Sequence, residues 1–430
     1  MRMKRSVGSY YPSFFYMELN DVESVADGTL YESGTFIHEF IHFLQDLGLP
    51  YNIRLNLRYL SLFYDIRKSV QENGKLYMPF AWDDNSKLLN EQDDCIHGLR
   101  AGYMSEIDII EKFNRPEETI VYREAFDPRL KRQREFRLFS YTETVAGCNG
   151  KYALGARDLL EYIAYKIENK HYPNDVEVPQ MPYRTVDLLF EHYGLGFLPD
   201  CIKLNIAEVC LYNDHPMRFL IGNYLENEDF VCSAGNLTYG KLYNINLNTE
   251  FNTTDGVRET LWEKRNRRWN DFDLILTNEY RNFPGLTAWI KEVIKFAQGH
   301  WQNRFVFSDL FTMDSHVFRT AVARIIDEIG SPLIFNANRQ MSFLGKRHAE
   351  QDDFIQLYVL QEFFEQIWNN QMQSGTVRHL CPIEDVCIEN KMGRSEYDAG
   401  ICRRCDDADA DCPYARFLNA YNLRDVIVES

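Results

Sequence analysis

Residues 35–44 read Thr35-Phe36-Ile37-His38-Glu39-Phe40-Ile41-His42-Phe43-Leu44, and the rest of the chain is best read outward from them. Two histidines four residues apart lie one turn apart on the same face of a helix, so both imidazoles can reach one tetrahedral ion. Glu39 falls about 100° round that helix from His38, where it can touch water beside the ion rather than the ion itself. Zinc lowers the pKa of such a water towards 7, and a neighbouring carboxylate can take its proton as hydroxide attacks a carbonyl. Phe36, Ile37, Phe40, Ile41, Phe43 and Leu44 are all uncharged, so the helix is expected to be buried on nearly every side. Polar groups inside so apolar a helix are costly unless something satisfies them, and a metal would. With 10 histidines in 430 residues, roughly 0.02 such His-Glu-x-x-His matches are expected by chance.

The helix is expected over 35–47, stopped by Gly48 with Pro50 just beyond. Before it, the aromatic run 12–19 reads as an early strand. After it, helical spacing predicts helices over 53–71, 155–170, 185–192, 286–298, 317–329 and 354–368. Residues 83–95 and 113–130 are polar and are expected to be loops. The Asn- and Thr-rich stretch 244–256 is the expected linker. The result is a mainly α (α+β) chain: a catalytic region over 1–245, a helical region over 246–375 and a cysteine-rich segment over 376–430. Hydrophobic residues make up 45% of the chain, which suits a folded globular protein.

The segment around His38 resembles the active-site helix of the zincin metallopeptidases. That resemblance implies a helical zincin-like core in which His38 and His42 bind catalytic zinc and Glu39 is the general base. Metzincins continue with Gly and His three and six residues after the second histidine; here those positions hold Gln45 and Gly48, so that subgroup is excluded. Gluzincins take a third ligand, Glu, from a later helix. The segment Gly155–Glu168 is similar to that helix, with Glu161 followed by the small Ala164 three positions on. Glu161 is therefore the expected third ligand, and Glu168, on the same face, a partner for a ligating histidine. The rival is Glu143, which also precedes a small residue, Ala146, by three. Tyr165, His171, Tyr172, His192 and Tyr193 are all candidates for the oxyanion donor that a peptidase needs.

Five of the ten cysteines, Cys381, Cys387, Cys402, Cys405 and Cys412, fall within 32 residues, with Cys402 and Cys405 as a Cys-x-x-Cys pair. This grouping is expected to bind a second, structural metal, with zinc ahead of an iron–sulfur cluster; the Cys412-Pro413 pair is the feature that suggests a cluster. A formal net charge of −17 argues against nucleic acid and anionic lipid as partners. No stretch approaches 18 apolar residues and no apolar leader follows Met1, so a cytoplasmic setting is expected. The whole reads as a zinc peptidase acting on a protein or peptide substrate, of restricted range and with a regulatory partner conceivable. The alternatives are a non-catalytic, metal-stabilised binding protein and a regulator carrying an iron–sulfur cluster.

Overall fold

The computed structural model describes residues 8–22, 33–99, 103–110, 113–127, 132–144, 151–173, 178–252, 258–345, 351–369, 371–372, 374–377, 381–390 and 412–429. Its elements begin with strands β1 (Gly8–Tyr11) and β2 (Tyr16–Leu19), then helices α1 (Gly34–Gly48) and α2 (Pro50–Asn73). There follow β3 (Lys75–Tyr77), α3 (Asp84–His97), β4 (Glu117–Asp127), β5 (Arg132–Thr144) and β6 (Lys151–Leu154). Helices α4 (Ala156–His171), α5 (Thr185–His192) and α6 (Asp200–Cys210) complete the first half. The second half is carried by helices Leu261–Glu279, Pro284–His300, Ser315–Ile329 and Gln351–Trp368. The chain is mainly helical, with several small sheets.

Helix α1 forms where the sequence places it. Ser33 caps its first turn by accepting from the Phe36 amide, and Leu49 closes it through the Gln45 carbonyl. Phe36, Phe40, Ile41, Phe43 and Leu44 are fully buried, so α1 runs through the centre of the core. Helix α4 packs against it, with Ala164 completely buried on the packed side. A sheet ordered β1, β2, Leu333–Asn336 and Met341–Ser342 covers another side, with β1 at its edge.

Three loop and linker expectations and one strand expectation are corrected. Residues 84–97 form α3, capped by the Asp83 carboxylate on the Ser86 amide. Only Ser86, Cys95 and Ile96 of that helix are buried, which leaves too narrow an apolar stripe to show helical periodicity. Residues 117–127 form β4, paired along its length with β5. Ile120 and Tyr122 stay exposed there, so no alternation of apolar and polar residues marks the strand. The polar stretch 244–256 holds the end of helix Tyr239–Leu247 and a strand, Glu250–Asn252, paired with Arg258–Thr260. The run 12–19 is a turn followed by β2 rather than one strand, because β1 doubles back on β2 with Tyr11 opposite Tyr16.

The three regions drawn from the sequence share sheets and packed faces. Strand β2 pairs in parallel with Leu333–Asn336, and β3 pairs in parallel with Ile427–Glu429. Helix Leu261–Glu279 packs on α2, and the Trp269 indole donates to the Leu47 carbonyl at 2.9 Å. Tyr414, Phe417, Leu418 and Tyr421 are buried, with Phe417 and Tyr421 against Phe63 of α2. No described helix is long and apolar enough to cross a membrane.

Candidate metal centre

Two helices build the site. The second turn of α1 presents His38 and Glu39, and its third turn presents His42. Helix α4 begins at Gly155, where the Asp158 carboxylate accepts from the Gly155 amide at 2.8 Å, the Tyr152 hydroxyl at 2.8 Å and the Thr185 hydroxyl at 2.8 Å. This buried cap fixes the start of α4, and Glu161 follows three residues later on the face towards α1.

The His38 Nε2 atom lies 3.2 Å from Glu161 Oε2 and 3.2 Å from His42 Nε2, and His42 Nε2 lies 3.4 Å from Glu161 Oε2. A tetrahedral zinc with bonds of about 2.05 Å holds its ligand atoms about 3.3 Å apart, so this triangle has the dimensions of one tetrahedral face. Among the described residues, His38, His42 and Glu161 are the group of three metal-ligating side chains that converge in this way.

The tautomers of both histidines follow from their outer partners. His38 Nδ1 is 3.0 Å from the Glu168 carboxylate, which as an anion only accepts, so Nδ1 carries the proton. His42 Nδ1 lies 2.8 Å from Gln45 Oε1, and the Gln45 amide nitrogen donates to the Leu160 carbonyl at 3.0 Å. That second bond fixes which end of the amide faces His42, so His42 Nδ1 is also the donor. In their neutral forms both rings then turn Nε2 lone pairs towards each other and towards a carboxylate. Three electron-rich atoms at such distances repel unless positive charge, a proton or a metal ion, sits among them. The donor set of two imidazoles and one carboxylate suits zinc and leaves a fourth position open.

The ionisation of these groups points the same way. Burial opposes charge on His38, but the bonds from Glu161 and Glu168 and the field of Glu39 outweigh it, and its pKa is well above the usual histidine value. Burial likewise opposes charge on His42, and Glu161 reverses the effect to a raised pKa. Glu161 itself is pushed up by burial and pulled further down by His42 and His38, ending well below the ordinary glutamate value. The site holds Glu161 ionised and demands positive charge beside it.

Glu39 is 6% exposed and makes no hydrogen bond or ion pair among the described residues. Burial raises its pKa, and the neighbouring His38 and His42 only partly offset that. A buried, unpartnered carboxylate beside three converging donors is a marker of function. Strand β1 lies against it: a Cβ placed on Gly8 would come 2.7 Å from Glu39 Oε1 and 2.6 Å from Thr35 Cγ2. The β1–β2 turn is fastened to α1 through Asp46, which accepts from the Tyr10 hydroxyl at 2.9 Å, the Ser13 amide at 2.6 Å and the Asn52 amide at 3.2 Å.

His38, Glu39, His42, Glu161 and Glu168 therefore meet as expected. Glu143 lies in β5, paired with Tyr152, rather than on a helix; Ala146 lies outside the described residues. Of the oxyanion candidates, His171 is engaged elsewhere, with Nε2 at 3.1 Å from the Leu310 carbonyl and its ring stacked on Phe318. Tyr193 donates to Glu226 at 2.9 Å, and His192 packs on Phe113. Tyr172 packs on Phe318. Tyr165 approaches the site through Tyr183. Tyr183 was not among the candidates. Its ring centroid is 5.8 Å from that of His38, and burial, with the fields of Glu161 and Glu39, raises its pKa. Its position depends on how the turn 181–184 folds back, with Met181 bridging to Ile107, which no local pattern announces.

Of the C-terminal cysteines, Cys402 and Cys405 lie outside the described residues. Cys387 and Cys412 are buried and Cys381 half-buried. Cys412 caps helix Pro413–Ala420, its Sγ 3.4 Å from the Ala415 amide. These three thiols do not converge as a group of three ligands.

No known family matches the chain, and no curated protein or solved structure shows significant similarity to it. The chemistry of the site therefore rests on its geometry.

Proposed function

We propose that the protein is a zinc-dependent peptidase. One observation carries the reading: two histidine Nε2 atoms, their rings oriented through Nδ1 by outer partners, form a triangle of zinc-sized edges with Glu161, beside the buried and unpartnered Glu39. His38, His42 and Glu161 would hold the ion, with Glu168 and Gln45 orienting the two rings. Bound zinc supplies Lewis acidity, lowering the pKa of water and polarising a carbonyl. Glu39 takes the proton of the attacking water and returns it to the leaving amine; its raised pKa suits both steps. Tyr183, whose ring packs on that of His38, would donate to the developing oxyanion. β1 is the outer strand of its sheet and runs past Glu39, so an extended peptide can pair with its backbone. The long chain around so compact a site favours a restricted protein substrate and a regulatory role.

Zinc content and peptide cleavage test this together. Wild type should carry zinc at this site and cleave a denatured protein or a peptide library. Glu39→Gln should keep the zinc and lose cleavage. Zinc retained with cleavage at the wild-type rate would exclude Glu39 as the base, and a site that binds no zinc would remove the proposal.

A further inference from the structure

A cavity of about 500 Å³ lies beside the β1–β2 turn, between α2, α3 and helix Gln351–Trp368. Its lining includes the rings of Tyr11, Tyr59, Phe364 and Trp368 and the carboxylates of Asp94 and Glu365. Trp368 is 42% exposed and Tyr59 38%, so two of the aromatic rings are open to an incoming group. Trp82 stands behind Trp368, with ring centroids 5.4 Å apart, and supports that wall.

The charges within the cavity do not balance. Arg58 donates to Asn90 at 3.1 Å and to the Ser86 carbonyl at 2.5 Å, and among the described residues it is the one guanidinium on a lining that also carries the carboxylates of Asp93, at 3.9 Å from it, Asp94 and Glu365. Asp93 also pairs with Arg54 at 2.8 Å. His97, on the same lining, is held neutral: burial, then Arg157, lowers its pKa to about 4. Asp94 and Glu365 make no ion pair among the described residues, although Glu365 accepts from Gln361. Flat aromatic walls with two uncompensated carboxylates select a guanidinium or ammonium group, which gains from both the ring faces and the negative field.

The cavity also stands in register with the metal centre. Gly8, the first residue of β1, touches Glu39, and Tyr11, the last, lines the cavity. Three residues of strand span about 10 Å. Along α1, the Tyr10 hydroxyl meets Asp46, seven residues beyond Glu39 and also about 10 Å by helical rise. β1 thus meets α1 at Glu39 through Gly8 and again at Asp46 through the Tyr10 side chain, and its next residue, Tyr11, lines the cavity. An extended peptide on this track advances about 3.3 Å per residue, and a side chain about three residues from the cleaved bond arrives at the cavity.

We propose that this cavity is a specificity subsite for a cationic side chain, arginine or lysine, of an extended peptide lying along β1. The peptide rests on the peptidase reading, whereas the capture of a cation does not. Binding is therefore measured apart from turnover, on the full chain carrying Glu39→Gln, by NMR or calorimetry. The probes are N-acetyl-arginine methylamide and its citrulline counterpart, which has nearly the same shape and no charge. The arginine compound should bind saturably and about fivefold or more tighter than citrulline. The double variant Asp94→Asn with Glu365→Gln, two exposed positions whose replacement leaves the core untouched, should abolish that preference. Trp368→Leu should weaken the arginine compound about threefold or more. Equal binding of the two probes, no saturable binding, or a preference that survives the double variant would overturn the proposal. In an active enzyme, the same double variant should lose its preference for peptides with arginine near the cleaved bond. A protein that selects arginine but cleaves nothing would remove the peptidase reading and leave the cation site standing.

Discussion

Glu168 offers the sharpest test of the metal centre, because it touches no metal and yet should control zinc affinity. Its carboxylate sits 3.0 Å from His38 Nδ1, and its other oxygen lies against the start of α1, 2.9 Å from where a Cβ on Gly34 would be. Adding the width of an imidazole and a zinc–nitrogen bond puts the Glu168 charge roughly 7 Å from a bound ion. A unit negative charge and a divalent cation at that separation interact by about 1 kcal/mol in water and about 5 kcal/mol at an effective dielectric of 20. Glu168 is largely buried, so the effect should fall between those limits, and loss of an outer partner of a ligand typically costs 10–100-fold in affinity. Glu168→Gln keeps the volume and an acceptor and removes the charge; zinc should bind about tenfold more weakly. Glu168→Ala also frees the His38 ring, and the loss should approach about a hundredfold. Competition with a chromophoric chelator at neutral pH measures both, and circular dichroism checks that the variants remain folded. A folded Glu168→Ala that binds zinc as tightly as wild type would refute the assignment of His38 Nε2 as a ligand.

Gly8→Ala should leave zinc affinity within about twofold but lower turnover by about a hundredfold, since the new methyl group displaces the Glu39 carboxylate; steady-state kinetics with metal titration separates the two. Gly155→Ala should destabilise the fold by about 3 kcal/mol, visible as a lower denaturation midpoint, because its Cβ would lie 2.2 Å from the Gly98 amide and 2.3 Å from the His97 carbonyl carbon, where rigid backbone cannot yield. His97 should make the protein less stable in mild acid. Its folded pKa of about 4 lies below the unfolded value of 6.5, so the unfolded chain binds the extra proton and stability falls as pH drops from 6.5 towards 4. His97→Gln should flatten that part of the curve of melting temperature against pH.

The candidate metal centre was legible because its proposed ligands come from two helices that each announce themselves locally. Phe36, Ile37, Phe40, Ile41, Phe43 and Leu44 mark α1 as buried, and Gly155 with the apolar positions up to Ile167 marks α4. Glu168 followed from Glu161 by the helical repeat alone. Tyr183 did not, since its approach to His38 is set by a bridge between residues 181 and 107. Helix α3 and strand β4 were read as loops because each buries little of its surface, and polar composition then outweighs periodicity. The interlocking of the three expected regions was invisible for a different reason: parallel pairing of β2 with Leu333–Asn336 joins residues more than 300 positions apart, and nothing local encodes it.

That pairing bears on when the protein can act during its own synthesis. The ligand triad is complete once Glu161 is made, yet the strand that anchors β2, and through it the β1 edge beside Glu39, begins only at Leu333, 172 residues later. At about 5–20 residues per second, roughly 10–35 s of translation separate the two. A chain still on the ribosome would thus carry all three proposed ligands before the strand beside them is supported, so on the peptidase reading activity would appear only after Leu333–Asn336 is made.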